Sequence, residues 1–111
     1  MKIEDPVSLF RAVGFAEYSS ILETRAFSLR PNGLESKYFG FDFDETLDFA
    51  NKVFNVHVVA IIEATVAREV LYQVGDFTKV DSSVFRRGTV EVHKEHLDKL
   101  NDAVIDIKHV Y

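Results

Sequence analysis

Hydrophobic residues fall along this chain in short blocks, each closed by a turn former or a cluster of charges. Val7 to Val13 is apolar, rich in branched and aromatic side chains and interrupted only by Ser8 and Arg11, the pattern of a buried strand. Gly14 breaks the run. Phe15, Tyr18, Ile21 and Leu22 then recur at helical spacing, with Glu17 in the first turn where a carboxylate suits the helix dipole, so a helix is predicted over residues 15–25. Ala26 to Leu29 reads as a short extended piece. It ends at Arg30-Pro31-Asn32-Gly33, where proline presets φ and asparagine or glycine accepts a positive φ, and the chain is expected to reverse there.

Ser36 to Phe41 is dense in aromatics and predicts another strand. Asp42 followed by Glu45 makes a capping box, and Phe43, Leu47, Ala50 and Phe54 form one apolar stripe on the helix that follows. Phe49 does not join that stripe: at about 100° per residue it points roughly 130° from the stripe's centre, and needs a second packing surface or a ligand. Val56 to Val66 is apolar on both alternating faces and predicts a central strand covered on both sides. Ala67 to Tyr72 suits a helical turn, and Gln73 to Gly88, polar and without periodicity, is expected to be a long loop. Thr89 to Val92 alternates as a strand, Leu97 and Leu100 with Lys94 and Lys99 suggest a short helix, and Ala103 to Val110 alternates again. The expectation is about six strands and three helices.

The 111 residues suffice for one domain, and a composition 47% hydrophobic and 28% charged is that of a packed chain without repeat or linker. The longest nearly uncharged apolar run, Val53 to Ile62, falls short of the ~18 residues a membrane helix needs. The acidic start Met1-Lys2-Ile3-Glu4-Asp5-Pro6 is unlike a secretory leader, and the lack of cysteine suits a reducing compartment, so the cytoplasm is expected. A net charge of −5, with Arg86-Arg87 as the only adjacent basic pair, disfavours nucleic acid and anionic lipid as partners.

Among chemistry-bearing residues, Arg11 in an apolar strand is either an anion contact or a buried cation paired with a carboxylate such as Glu63. His93 and His96 straddle a predicted strand-to-helix junction with no third ligand nearby, so no metal is expected. Glu91 and His93 share a strand face, but no nucleophile elbow, P-loop or dinucleotide-binding glycine motif accompanies them.

Leu9-Phe10-Arg11-Ala12-Val13, the helix with Glu17 and Ile21-Leu22, the short strand at Phe27, then Ser36-Lys37-Tyr38-Phe39 and a helix with Leu47 and Ala50 resemble the opening half of the ADP-ribosyltransferase superfamily. The likeness is to its small bacterial toxin-type and poly-ADP-ribosyl-polymerase-like members. It implies that Arg11 contacts bound NAD, that Tyr38 followed by Phe39 walls the nicotinamide pocket, and that Phe49 on the next helix stacks on the nicotinamide. The pattern departs at the family's late-strand glutamate or glutamine, where Thr89 stands instead. Glu91 lies on the same strand face roughly 7 Å further on and is the substitute carboxylate if the register shifts by one pair.

The resemblance thus implies a compact α+β domain with a split, mostly antiparallel sheet and an NAD-pocket-like cleft. Its function would be NAD binding and transfer of ADP-ribose to a macromolecular target, a protein among them, with NAD as substrate and Glu91 as the catalytic carboxylate. The competing expectation is a catalytically inactive member of the same fold that binds a nucleotide or a protein through that cleft.

Overall fold

Alternation along the first strand sets the two faces on which everything else is built. A computed structural model describes residues 6–28, 36–52, 60–78 and 84–111. In β1 (Val7–Val13), Leu9, Arg11 and Val13 point to one side and Ser8, Phe10 and Ala12 to the other. The chain continues through α1 (Phe15–Thr24), β2 (Ser36–Gly40), α2 (Phe43–Lys52), β3 (Ala60–Val66), α3 (Arg68–Val74), β4 (Gly75–Thr78), β5 (Thr89–His93), α4 (Lys94–Asp102) and β6 (Val104–His109). The described residues form an α+β domain whose strands make one six-stranded antiparallel sheet, in the order β4-β5-β2-β1-β3-β6.

Directly paired residues share a face, so the register carries the two sides of β1 across the sheet. One side presents Leu9, Val13, Phe39, Ala60, Ile62, Ala64, Val66, Val90, Val92 and Ile107. Ile21 of α1, Leu71 and Val74 of α3, and Leu97 and Leu100 of α4 close over it to form the core. Among the described residues the other side is covered in part by α2, where the Phe43 ring meets Phe10 edge-on at 6.3 Å. None of the described helices is long and apolar enough to cross a membrane.

The sheet is divided at its middle. β1 and β3 pair along their whole length and β2 and β5 pair at five positions, whereas β1 and β2 share the single register pair Phe10↔Gly40. Arg11 bridges this division, as described below.

Several elements differ from the sequence expectations. The strand predicted over Val56 to Val66 begins, among the described residues, at Ala60; residues 53–59, which include Phe54 of the predicted stripe, lie outside them, as does the turn at Arg30-Pro31-Asn32-Gly33. β3 is an interior strand, flanked by β1 and β6, but on its second face only Ile61 is buried while Glu63 and Thr65 are partly exposed. Apolarity on both faces of a strand marks burial, which a covering helix supplies as well as a central place in the sheet does.

Within the predicted loop from Gln73 to Gly88, α3 runs to Val74 and β4 follows at once. The segment Gly75-Asp76-Phe77-Thr78 is held by pairing with β5 and not by an apolar period of its own. Among the described residues there are therefore four helices where about three were expected. Conversely, no strand forms at Phe27. The amide of Asn101 accepts from its N–H (2.8 Å) and donates to its carbonyl (2.7 Å), completing the backbone bonding of a buried residue that has no strand neighbour.

The packed side of α2 is rotated from the predicted stripe. Glu45, Thr46 and Ala50 are its buried residues, so the buried arc centres near Thr46, and Phe49 lies within that arc, between Glu45 and Thr46, rather than behind it. Asp42 does cap the helix, its Oδ2 accepting from the Glu45 N–H at 3.1 Å, but the Glu45 carboxylate turns away to accept from the Arg87 N–H.

Two outcomes test this architecture. Amides of Leu9 to Val13 and Ala60 to Val66, each strand being flanked on both sides, are expected to be the slowest to exchange in hydrogen-exchange measurements. At Gly75 a Cβ would lie 2.6 Å from Val90 Cγ2 and 2.8 Å from the Leu71 carbonyl oxygen. Gly75→Ala should therefore lower unfolding free energy by about 1–3 kcal/mol in urea titration, because the backbone at Leu71 cannot yield cheaply.

Candidate functional site

On the side of the sheet that α2 leaves open, three adjacent strands bring polar groups together. β2 presents Ser36 and Tyr38, β5 presents Glu91 and His93, and β4 presents Asp76. Tyr38 and Asp76 both sit directly opposite Glu91, and Ser36 sits opposite His93, so Glu91 is the centre of the group. Its Oε2 accepts from Ser36 Oγ at 2.6 Å, and Tyr38 stands beside it on the same face. His93 Nε2 is 3.4 Å from Asp76 Oδ2, and its Nδ1 is 3.9 Å from Glu91 Oε2.

This environment acts on Tyr38. Partial desolvation first, then the carboxylate of Glu91 with Asp76 behind it, push the phenol above its ordinary pKa of 10.0, because each disfavours a phenolate there. Asp76, Glu91 and His93 each offer one donor atom, all within 4.8 Å of one another, an N,O,O set that could hold a metal ion. His96 is exposed on α4 and belongs to no such group among the described residues.

Further along the same face, the sheet meets α2. A Cβ on Gly40 would lie 2.9 Å from Thr46 Oγ1 and 2.9 Å from Phe85 Cε1, so glycine is what allows helix and loop to approach so closely. Phe49 faces Phe85 with ring centroids 5.1 Å apart. Thr89, opposite Gly40, is buried on this face, and Glu91 follows one pair along it. Tyr38, Phe49, Thr89 and Glu91 thus share one side of the β2–β5 ladder.

Arg11 and Phe39 are on the other side. Phe39 is 1% exposed in the core, its ring edge-on to Phe27 at 5.1 Å, and so it walls no open cleft. The Arg11 guanidinium grips Glu17 through Nε (2.6 Å) and Nη2 (3.0 Å), while Nη1 donates to the Tyr38 carbonyl at 3.0 Å. Its carboxylate partner is therefore Glu17, and not Glu63, which lies opposite Phe10 on the α2 side with Lys108 Nζ 3.7 Å away. Lys37, itself buried, adds a second cation to Glu17 at 3.2 Å. Burial alone would raise the Glu17 pKa, but the hydrogen bonds and charges of Arg11 and Lys37 together outweigh it and hold the carboxyl below its ordinary 4.5.

The sequence reading missed Ser36, Asp76 and Phe85. Asp76 stands in a strand too short to show a period, whereas Phe85 did leave a signal, a large aromatic alone in a polar stretch beside Arg86-Arg87. In comparison with protein-family models, with curated proteins and with solved structures, the chain matches none.

The Glu17 network predicts a pH signature. A carboxyl with a depressed folded-state pKa contributes stability that is fully present above its unfolded value and is lost as pH falls through the folded one. Glu17→Gln should cost about 2–3 kcal/mol near neutrality, by removing the carboxylate that Arg11 and Lys37 share, and that difference should shrink in acid unfolding curves as pH falls below 4.5. At the open face, Glu91→Gln should shift the Tyr38 phenolate absorbance titration to lower pH.

Proposed function

We propose that this domain binds NAD on the α2 side of the β2–β5 ladder and breaks its nicotinamide–ribose bond, passing ADP-ribose to a protein target. The observation that carries this reading is the convergence of Tyr38, Phe49 and Glu91 on one face, with Tyr38 directly opposite Glu91. The division between β1 and β2 supports the finer fold assignment, an ADP-ribosyltransferase-like split sheet.

The chemistry asks little of the protein beyond positioning and charge. As the glycosidic C–N bond breaks, its electron pair neutralises the pyridinium and leaves positive charge on the ribose. A carboxylate beside the sugar stabilises that charge, an aromatic wall holds the leaving ring, and a nucleophile's lone pair then forms the new bond while its proton passes to solvent. Glu91, oriented by Ser36, is the carboxylate; Tyr38 and Phe49 are the aromatic groups. Arg11, on the opposite face and engaged with Glu17, is in this reading a positioning residue acting through the Tyr38 carbonyl. The acidic balance of the chain favours a protein over a nucleic acid as the acceptor.

Thr89, standing where the family carries its carboxylate, favours a second reading, an inactive relative that binds a nucleotide or a protein. Calorimetric titration with NAD beside an assay for released nicotinamide separates the two. The enzyme reading expects binding and turnover, with turnover lost in Glu91→Gln and NAD affinity lowered about 5–30-fold in Phe49→Ala, the equivalent of about 1–2 kcal/mol of lost stacking and contact. Binding with no nicotinamide release under any condition gives the inactive reading. No binding at millimolar NAD ends both nucleotide readings.

A further inference from the structure

Phe85 is 8% exposed although Arg86 and Arg87 beside it are exposed. Its ring lies over Gly40, against Thr46 and beside Phe49, filling a space that exists only because residue 40 has no side chain. Its segment is strapped down. The Arg87 N–H donates to Glu45 Oε1 at 3.1 Å, and Arg87 Nε stands 3.8 Å from Glu45 Oε2 and 3.9 Å from Asp42 Oδ1. The Gly88 N–H returns to the Phe85 carbonyl at 3.0 Å and closes a tight turn. Glu45 is itself buried, so α2 uses a core position to hold this turn.

We infer that Gly40, Thr46 and Phe49 form a slot for a planar aromatic ring, and that Phe85 is its resident occupant, competing with any ligand ring. The inference rests on the NAD reading only for the identity of that ligand, the nicotinamide ring. Two rings cannot hold one slot, so ligand binding requires the turn at 84–88 to release, and the apparent affinity is reduced by the fraction of molecules in which it has released. The straps are charge-assisted and partly solvent-exposed, which makes them breakable by salt or by a partner that takes Arg87.

The test uses wild type, Phe85→Ala and Arg87→Ala, with melting curves to establish folding and calorimetric titration of two probes, NAD and benzamide, a bare planar aromatic amide. Phe85→Ala should bind benzamide at least about ten-fold more tightly than wild type, and Arg87→Ala, with an exposed side chain and an intact ring, should gain about two- to five-fold. A folded Phe85→Ala with no gain for benzamide overturns the slot. If Phe85→Ala does not fold, Arg87→Ala decides, and unchanged or weaker benzamide binding overturns it. A gain for benzamide with no NAD binding in any variant keeps the slot and removes the NAD reading, whereas NAD bound equally well by all three keeps that reading and removes the competition.

Discussion

The guanidinium of Arg11 holds this fold together at the place where its sheet does not. β1 and β2 meet through one register pair, so the two half-sheets would be joined by little more than packing. Arg11 reaches from β1 to the Tyr38 carbonyl on β2 and grips Glu17 of α1 with two parallel hydrogen bonds, while Lys37 of β2 reaches the same carboxylate. A strand from each half and α1 are thereby tied to one anion. The fork of an arginine is suited to this; a lysine at position 11 would supply the charge but not the three directed bonds. The same contact fixes the backbone of Tyr38, whose side chain emerges on the opposite face beside Glu91, so a core ion network and an open polar site share one residue.

The second constraint is steric. Where α2 crosses the sheet, Gly40 lets a helix hydroxyl and an aromatic ring come within contact of the strand backbone. The buried face of α2 is accordingly built around Glu45 and Thr46 rather than around its largest apolar residues. Thr46 keeps its hydroxyl satisfied by donating to the Asp42 carbonyl at 2.9 Å, and Glu45 is satisfied by the loop it restrains.

These two constraints explain what the sequence could and could not tell. β1 was legible from its run of branched and aromatic residues, β2 from its aromatics, β5 and β6 from their alternation, and α1 and α4 because their apolar residues repeat at helical spacing. β4 was not, since a four-residue edge strand draws its order from a neighbour. The facing of α2 was misread because a hydrophobic stripe cannot register a buried glutamate and threonine. Arg11 was seen as a buried cation or an anion contact, but its partner six residues later on the next helix depends on how α1 folds back over the sheet, which no local pattern encodes. Glu91 was placed on the correct face by period alone. Asp76 came to it only through the β4–β5 register, a relation between distant segments.

The outer strands carry a different kind of information. Between Thr65 and Val66 the β3–β6 register shifts, and β6 beyond it presents Asp106, Lys108 and His109 in an exposed, mixed-charge sequence. At the opposite margin β4 is only four residues long and bears Asp76. A kinked, charged border on one side and a very short one on the other are poor templates for the unpaired edge of another molecule. In a chain nearly half hydrophobic and dominated by antiparallel pairing, the described margins thus offer little regular, uncharged backbone on which fibrillar stacking could begin.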